Sequence, residues 1–110
     1  MALTPPQDRR FEPRTTSNAR GVVVAPGLEL ACLIADVSAG GMKLRLDRRV
    51  ALPSSVFVVD VVLGLAHEAE VMWNKGQEAG LKLRGQTSIR GLVPARLTHA
   101  REAWLRAGGR

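Results

Sequence analysis

The chain has 110 residues, 45% of them hydrophobic, which is enough for one domain with a single modest core. No apolar run approaches the ~20 residues of a membrane-spanning helix, and the single cysteine, Cys32, excludes an internal disulfide. Residues 1–6 lack the basic and apolar regions of a secretory signal, so a cytoplasmic location without membrane insertion is expected.

The net charge is +6, and all but three of the sixteen basic residues are arginine. A planar guanidinium matches phosphate groups and guanine edges, so this composition favours a phosphate-bearing ligand. An arginine-rich solvated surface explains the charge equally well.

The first twenty residues are polar and differ from the rest of the chain. Residues 1–8 are predicted to form a flexible tail, and residues 9–20 an arginine-rich arm in which Pro13 excludes a helix. From Gly21 the pattern changes to six short β-branched or alternating stretches, separated by turn residues such as Gly40-Gly41. Six short strands over residues 21–84 predict a mainly β fold, either a small antiparallel barrel or a sandwich.

The last segment has helical periodicity. The apolar residues recur at spacings of four, three and four: Val93, Leu97, Ala100 and Trp104. Pro94 suits the first helical turn, and Gly108-Gly109 suits the C-cap. One helix over residues 93–107 is predicted, packed on the barrel or closing one mouth of it, with Trp104 as its anchor.

Two short motifs carry polar chemistry, and the first is Arg9-Arg10-Phe11-Glu12-Pro13-Arg14. Because Pro13 favours an extended backbone, Arg10 and Arg14 would lie about 13 Å apart along a straight strand. They would converge on one ligand only if the segment bends or if the ligand is large and offers several acceptors. Taken singly, the motif fits a solvated basic arm as well as a binding site.

The second motif, Asp36-Val37-Ser38-Ala39-Gly40-Gly41, lies between two predicted strands. Asp and Ser side chains fix turns through backbone amides, and the two glycines are expected to supply positive φ and to let a ligand approach the backbone. Successive turn amides can also bind an anion. Taken singly, this turn fits an ordinary hairpin.

The order and spacing of the two motifs are more specific than either motif. Arg-x-x-x-Arg, followed twenty-two residues after Arg14 by Asp-x-Ser-x-x-Gly at a strand end, resembles the PilZ domain family. Residues 69–73 (AEVMW) and 79–83 (AGLKL) are similar to the V-x-W and glycine-containing late strands of that family. The resemblance covers residues 9–84 and implies a six-stranded antiparallel β-barrel with a C-terminal α-helix.

The resemblance also implies a ligand, the bacterial second messenger cyclic di-GMP. By analogy Arg10 and Arg14 contact guanine and phosphate, Asp36 and Ser38 meet a guanine edge, and Gly40-Gly41 let the turn approach. A basic residue at the position of Arg9 is associated in the family with a stacked pair of ligand molecules rather than one. A further basic residue on or after a late strand is often present in the family, and the candidates here are Lys82, Arg84 and Arg90.

The remaining chemically active side chains fit structural roles. His67 and His99 lack the spacing of metal ligands, so surface or capping roles are expected, without a metal site. Cys32 and Trp73 are expected to pack in the core. No activated nucleophile can be assembled from these residues, so we expect neither an enzyme nor a cofactor besides the ligand.

The leading hypothesis is a cyclic di-GMP receptor or adaptor that orders its arm on binding and acts on a downstream partner protein, as in motility or exopolysaccharide control. One alternative keeps the fold as a protein-interaction module that does not bind cyclic di-GMP. Another is a small basic barrel that binds single-stranded nucleic acid, which the four aromatic residues make less favourable because such proteins expose stacking platforms.

Overall fold

The computed structural model describes residues 18–109. The tail, most of the arm and its three motif arginines, Arg9, Arg10 and Arg14, lie outside the described residues. The strands are β1 (Ala19–Ala25), β2 (Leu28–Val37), β3 (Gly41–Leu46), β4 (Ser55–Asp60), β5 (Leu65–Lys75) and β6 (Glu78–Ser88). A short 3-10 turn (Ala95–Leu97) leads into the helix α1 (Thr98–Arg106).

The six strands form a closed antiparallel barrel in the order β1-β2-β3-β6-β5-β4, with β4 pairing back onto β1. This confirms the predicted six-stranded barrel with a C-terminal helix. Strands β5 and β6 are the longest, eleven residues each, and the two form a hairpin that pairs with β3 near its turn and with β4 near its base. None of the helices within residues 18–109 combines the length and the apolar character needed to cross a bilayer.

The barrel interior is filled by the apolar side chains that alternate along each strand. Val23, Leu30, Leu44 and Val58 are almost completely buried there. Cys32 belongs to the same cluster, and burial raises the pKa of its thiol to about 12. A thiol with that pKa stays protonated and unreactive at neutral pH.

A second apolar cluster joins the outer face of β1 and β4 to the helix. Trp104 is 1% exposed, and its indole Nε1 donates a hydrogen bond of 2.9 Å to the carbonyl oxygen of Val61. The helix ends as the two glycines predict. Gly108 has a φ of +98°, in the region that favours glycine, and the Gly109 amide donates a hydrogen bond of 2.8 Å to the Trp104 carbonyl oxygen. The helix therefore packs on the side of the barrel.

One end of the barrel forms a cavity of about 470 Å³, which we call the barrel mouth. Each of the six strands contributes to its lining, through Ala19, Val37, Met42, Asp60, His67 and Gln86. The surface role expected for His67 is wrong, because the side chain is buried in this mouth. Burial lowers the pKa of His67, and the neighbouring Asp60 carboxylate opposes that shift.

Candidate ligand-binding site

The Asp36–Gly41 motif comprises the end of β2, the turn at residues 38–40 and the first residue of β3, so it contains the turn that its residue types predict. Ile34 pairs with Leu44 and Asp36 with Lys43, so Ala35 is an extra residue that bulges from β2 just before the motif. The Ser38 amide donates to the Gly41 carbonyl at 2.9 Å, and the Leu83 amide of β6 donates to the Gly40 carbonyl at 3.0 Å. The second hydrogen bond holds the turn to β6, which pairs with the edge of β3 opposite β2.

The two glycines of this turn have a different role from the one expected. Neither has a positive φ, so the expectation of left-handed backbone at Gly40-Gly41 is wrong. A Cβ on Gly41 would lie 3.3 Å from the Leu81 carbonyl oxygen, which is a tight contact, whereas one on Gly40 would meet nothing within 4 Å. Close approach to β6 therefore explains Gly41, and open space lies over Gly40.

Beside the turn lies a surface depression of about 320 Å³, which we call the site hollow. Its lining comes from the turn, β3, β5 and β6: Asp36, Ser38, Gly41, Met42, Lys43, Met72, Trp73, Gly80 and Leu81. The hollow combines a carboxylate, a hydroxyl and an ammonium with the face of an indole. Flat, polar-edged ligands suit such a combination, because rings stack on the indole while their edges meet the polar groups.

Trp73 is in the site hollow and is 46% exposed, so the expectation that it packs in the core is wrong. The cause is a second bulge. Val71 pairs with Leu81 and Trp73 with Gly80, so Met72 is an extra residue in β5 and reverses the side on which Trp73 emerges. Strict alternation of the sequence cannot reveal such an insertion.

Gly80 lies in direct contact with the indole of Trp73. Its neighbours Ala79 and Leu81 are buried in the barrel core, so Gly80 lies on the outer face of β6. A Cβ on Gly80 would be 2.1 Å from Nε1 and 2.5 Å from Cε2 of Trp73. Only glycine lets the ring come this close to the strand, and the 46% of Trp73 that stays exposed includes the part that lines the hollow.

Charge in the hollow comes from Asp36 and Lys43, which are cross-strand partners in the β2–β3 register. The Lys43 ammonium also lies 3.9 Å from a carboxylate oxygen of Glu78. Lys43 was not predicted from the sequence, where it appears as one of the polar residues of an alternating strand. Within residues 18–109 no three His, Cys, Asp or Glu side chains are grouped as potential metal ligands.

The three late basic candidates occupy different environments. Lys82 follows Leu81, pairs with Gly41 in the register and is exposed on the same face of β6 as Gly80. Arg84 donates to the Glu70 carboxylate at 2.5 Å. Arg90 follows the opposite end of β6 and donates to the carbonyls of Val62 and Leu63 at 2.8 and 3.1 Å. Lys82 is thus the candidate next to the hollow.

Of the predicted turn contacts, Asp36, Ser38 and Gly41 therefore line one hollow, whereas Gly40 is exposed and is not part of that lining. Two contributors, Trp73 and Lys43, join them without having been predicted. The V-x-W segment was a signal for Trp73, but its bulge was not recognisable in the sequence.

The PilZ domain family model matches residues 8–94, which include both motifs and the whole barrel. The chain belongs to the PilZ domain family. PilZ domains are binding and adaptor modules, and the family is one of cyclic di-GMP receptors. No curated protein matches the chain.

Proposed function

We propose that this PilZ domain binds cyclic di-GMP at the site hollow and acts as a receptor or adaptor. The observation that carries the proposal is that Asp36, Ser38 and the half-exposed indole of Trp73 line one depression. A carboxylate and a hydroxyl accept hydrogen bonds from the N–H groups of a guanine edge. The indole face next to them offers a surface on which the same or a neighbouring base stacks.

The arm supplies the complementary charge in this proposal. Arg10 and Arg14 pair with the O6/N7 edge of guanine and with phosphate oxygens, since a guanidinium forms two parallel hydrogen bonds with either. Lys82 is the late basic residue proposed to face the phosphates, because it is exposed beside the Gly41 turn. Arg9 is proposed to hold a second, stacked ligand molecule.

Binding in this scheme orders the arm over the barrel surface. The arm loses conformational entropy, which the charge-assisted hydrogen bonds to phosphates and guanines offset. The surface that a partner protein meets then differs between the free and bound states. We propose that a bacterial process such as motility or exopolysaccharide production is regulated through this partner.

Calorimetric titration with cyclic di-GMP tests the function directly. We expect saturable binding with two ligand molecules per protomer, and loss of binding in Asp36→Asn, Ser38→Ala, Arg10→Ala and Arg14→Ala. The matched controls are Asp47→Asn and Arg48→Ala, which alter exposed residues outside the hollow. Absence of binding by the folded wild-type protein would contradict the proposal and favour an interaction module without this ligand.

A further inference from the structure

The barrel mouth borders the site hollow, and the two share a wall. Met42 lines both, and Val37 of the mouth lies between Asp36 and Ser38 of the hollow. An element that entered the mouth would therefore be positioned beside the proposed ligand. This proximity makes the mouth relevant to the binding site although its own lining is largely apolar.

The rim of the mouth is an exposed apolar surface. Leu63 is 57% exposed and Val62 is 64% exposed, and both line the mouth from the turn between β4 and β5. The helix α1 packs mainly against the outer face of β1 and β4, and none of its residues lines the mouth. With residues 18–109 in place, both rim side chains therefore remain more than half exposed.

The chain itself enters at this rim. Ala19, the first residue of β1, lines the mouth, and seventeen residues precede the described part of the chain. Between residues 4 and 17, Phe11 is the one large apolar side chain. It precedes Ala19 by eight residues, which span up to about 28 Å when extended, so the ring can reach the mouth.

The position of Phe11 between Arg10 and Arg14 also suits docking in the mouth, because side chains alternate along an extended segment. Pro13 favours extended backbone in the residue before it, and side chains of an extended segment point alternately to opposite sides. In an extended segment Arg10 and Arg14 would share one side, and Phe11 would face the other. A ring held in the mouth leaves both guanidinium groups directed away from the barrel interior, toward a ligand beside the shared wall.

We propose that Phe11 docks in the barrel mouth when the ligand is bound and positions the two flanking arginines over the site hollow. The inference rests on the proposed function for the identity of the ligand. Phe11 is a positioning residue in this scheme, because it contacts the mouth rather than the ligand. Burial of its ring compensates part of the entropy that the arm loses on ordering.

Fluorine NMR of protein labelled with fluorophenylalanine tests the docking. The chain contains two phenylalanines, Phe11 and Phe57, so the spectrum has two resonances, which a Phe57→Leu sample assigns. We expect cyclic di-GMP to move the Phe11 resonance and to remove its solvent isotope shift between H₂O and D₂O. Leu63→Gln at the rim should restore that isotope shift in the complex, whereas the control Leu105→Gln, a 47% exposed leucine on α1, should not.

Affinity supplies the second measurement. We expect Phe11→Ala to weaken cyclic di-GMP binding about tenfold through loss of the buried ring, and Phe11→Leu to recover most of it. A wild-type complex whose Phe11 ring remains solvent-exposed, or a Phe11→Ala variant with unchanged affinity, would overturn the inference and leave the proposed function intact. Failure of the folded wild-type protein to bind cyclic di-GMP at all would instead overturn the proposed function and, with it, the ligand-dependent docking.

Discussion

The contact between Gly80 and Trp73 allows a prediction that separates ligand binding from stability. In Gly80→Ala the new Cβ would lie 2.1 Å from the indole Nε1, whereas non-bonded heavy atoms settle at about 3.5 Å or more. The ring must therefore move by about 1.4 Å or rotate away from β6. Because Trp73 is 46% exposed, it can do so into solvent without disturbing the barrel core.

The expected effect on binding follows from the loss of a stacking surface. Base–aromatic stacking contributes about 1–3 kcal/mol, so displacement of the ring should weaken cyclic di-GMP binding about 5- to 150-fold. The expected effect on folding is small. Alanine gains roughly 0.5–1 kcal/mol over glycine within a strand, which opposes the packing lost beneath the indole.

Calorimetric titration measures the affinity, and chemical denaturation measures the free energy of unfolding. Acrylamide quenching reports the ring position, since the other tryptophan, Trp104, is 1% exposed and protected from the quencher. Gly85→Ala is the matched control, because Gly85 is on the same strand and a Cβ there meets nothing within 4 Å. Wild-type affinity in a Gly80→Ala variant with increased quenching would refute the stacking role of Trp73.

Three further predictions concern the barrel and its helix. Trp104→Phe removes the hydrogen-bond donor to the buried Val61 carbonyl, so urea denaturation should show a free energy of unfolding lower by about 1–3 kcal/mol. An unchanged free energy of unfolding would contradict the anchoring role of Trp104. Burial lowers the pKa of His67 in the folded protein below its value in the unfolded chain. As the pH falls below about 6.5, the unfolded chain therefore takes up a proton before the folded protein does, and the free energy of unfolding should decline until the pH reaches the lower pKa of the folded state. His67→Gln should lose this part of the pH dependence measured by thermal unfolding. Glu29→Gln breaks the bidentate ion pair with Arg106, so it should lower the free energy of unfolding slightly at low salt. Salt screens ionic contacts, so an equal loss of stability at high salt would contradict an ionic contribution.

Several features were predictable because they depend on local pattern. The alternation of Met42, Leu44 and Leu46 fixes which face of β3 meets the core, and all three are buried. Helical spacing predicted that Trp104 faces the barrel, and Gly108-Gly109 fixed the end of the helix. Residue types of the Asp36–Gly41 motif likewise predicted the turn that carries half of the proposed site.

The remaining features depend on partners that are distant in the sequence. Bulges at Ala35 and Met72 are set by pairing across strands, and the second one turns Trp73 out of the core and over Gly80. Burial of His67 results from closure of six strands around one mouth, which no local pattern specifies. The sequence by itself therefore predicted the strands and the motif turn, because alternation and turn chemistry act over a few residues, and its resemblance to the PilZ family implied that the strands form a barrel. Only the tertiary structure decided that the turn shares a hollow with Trp73 and Lys43, because cross-strand register places residues from separate strands side by side.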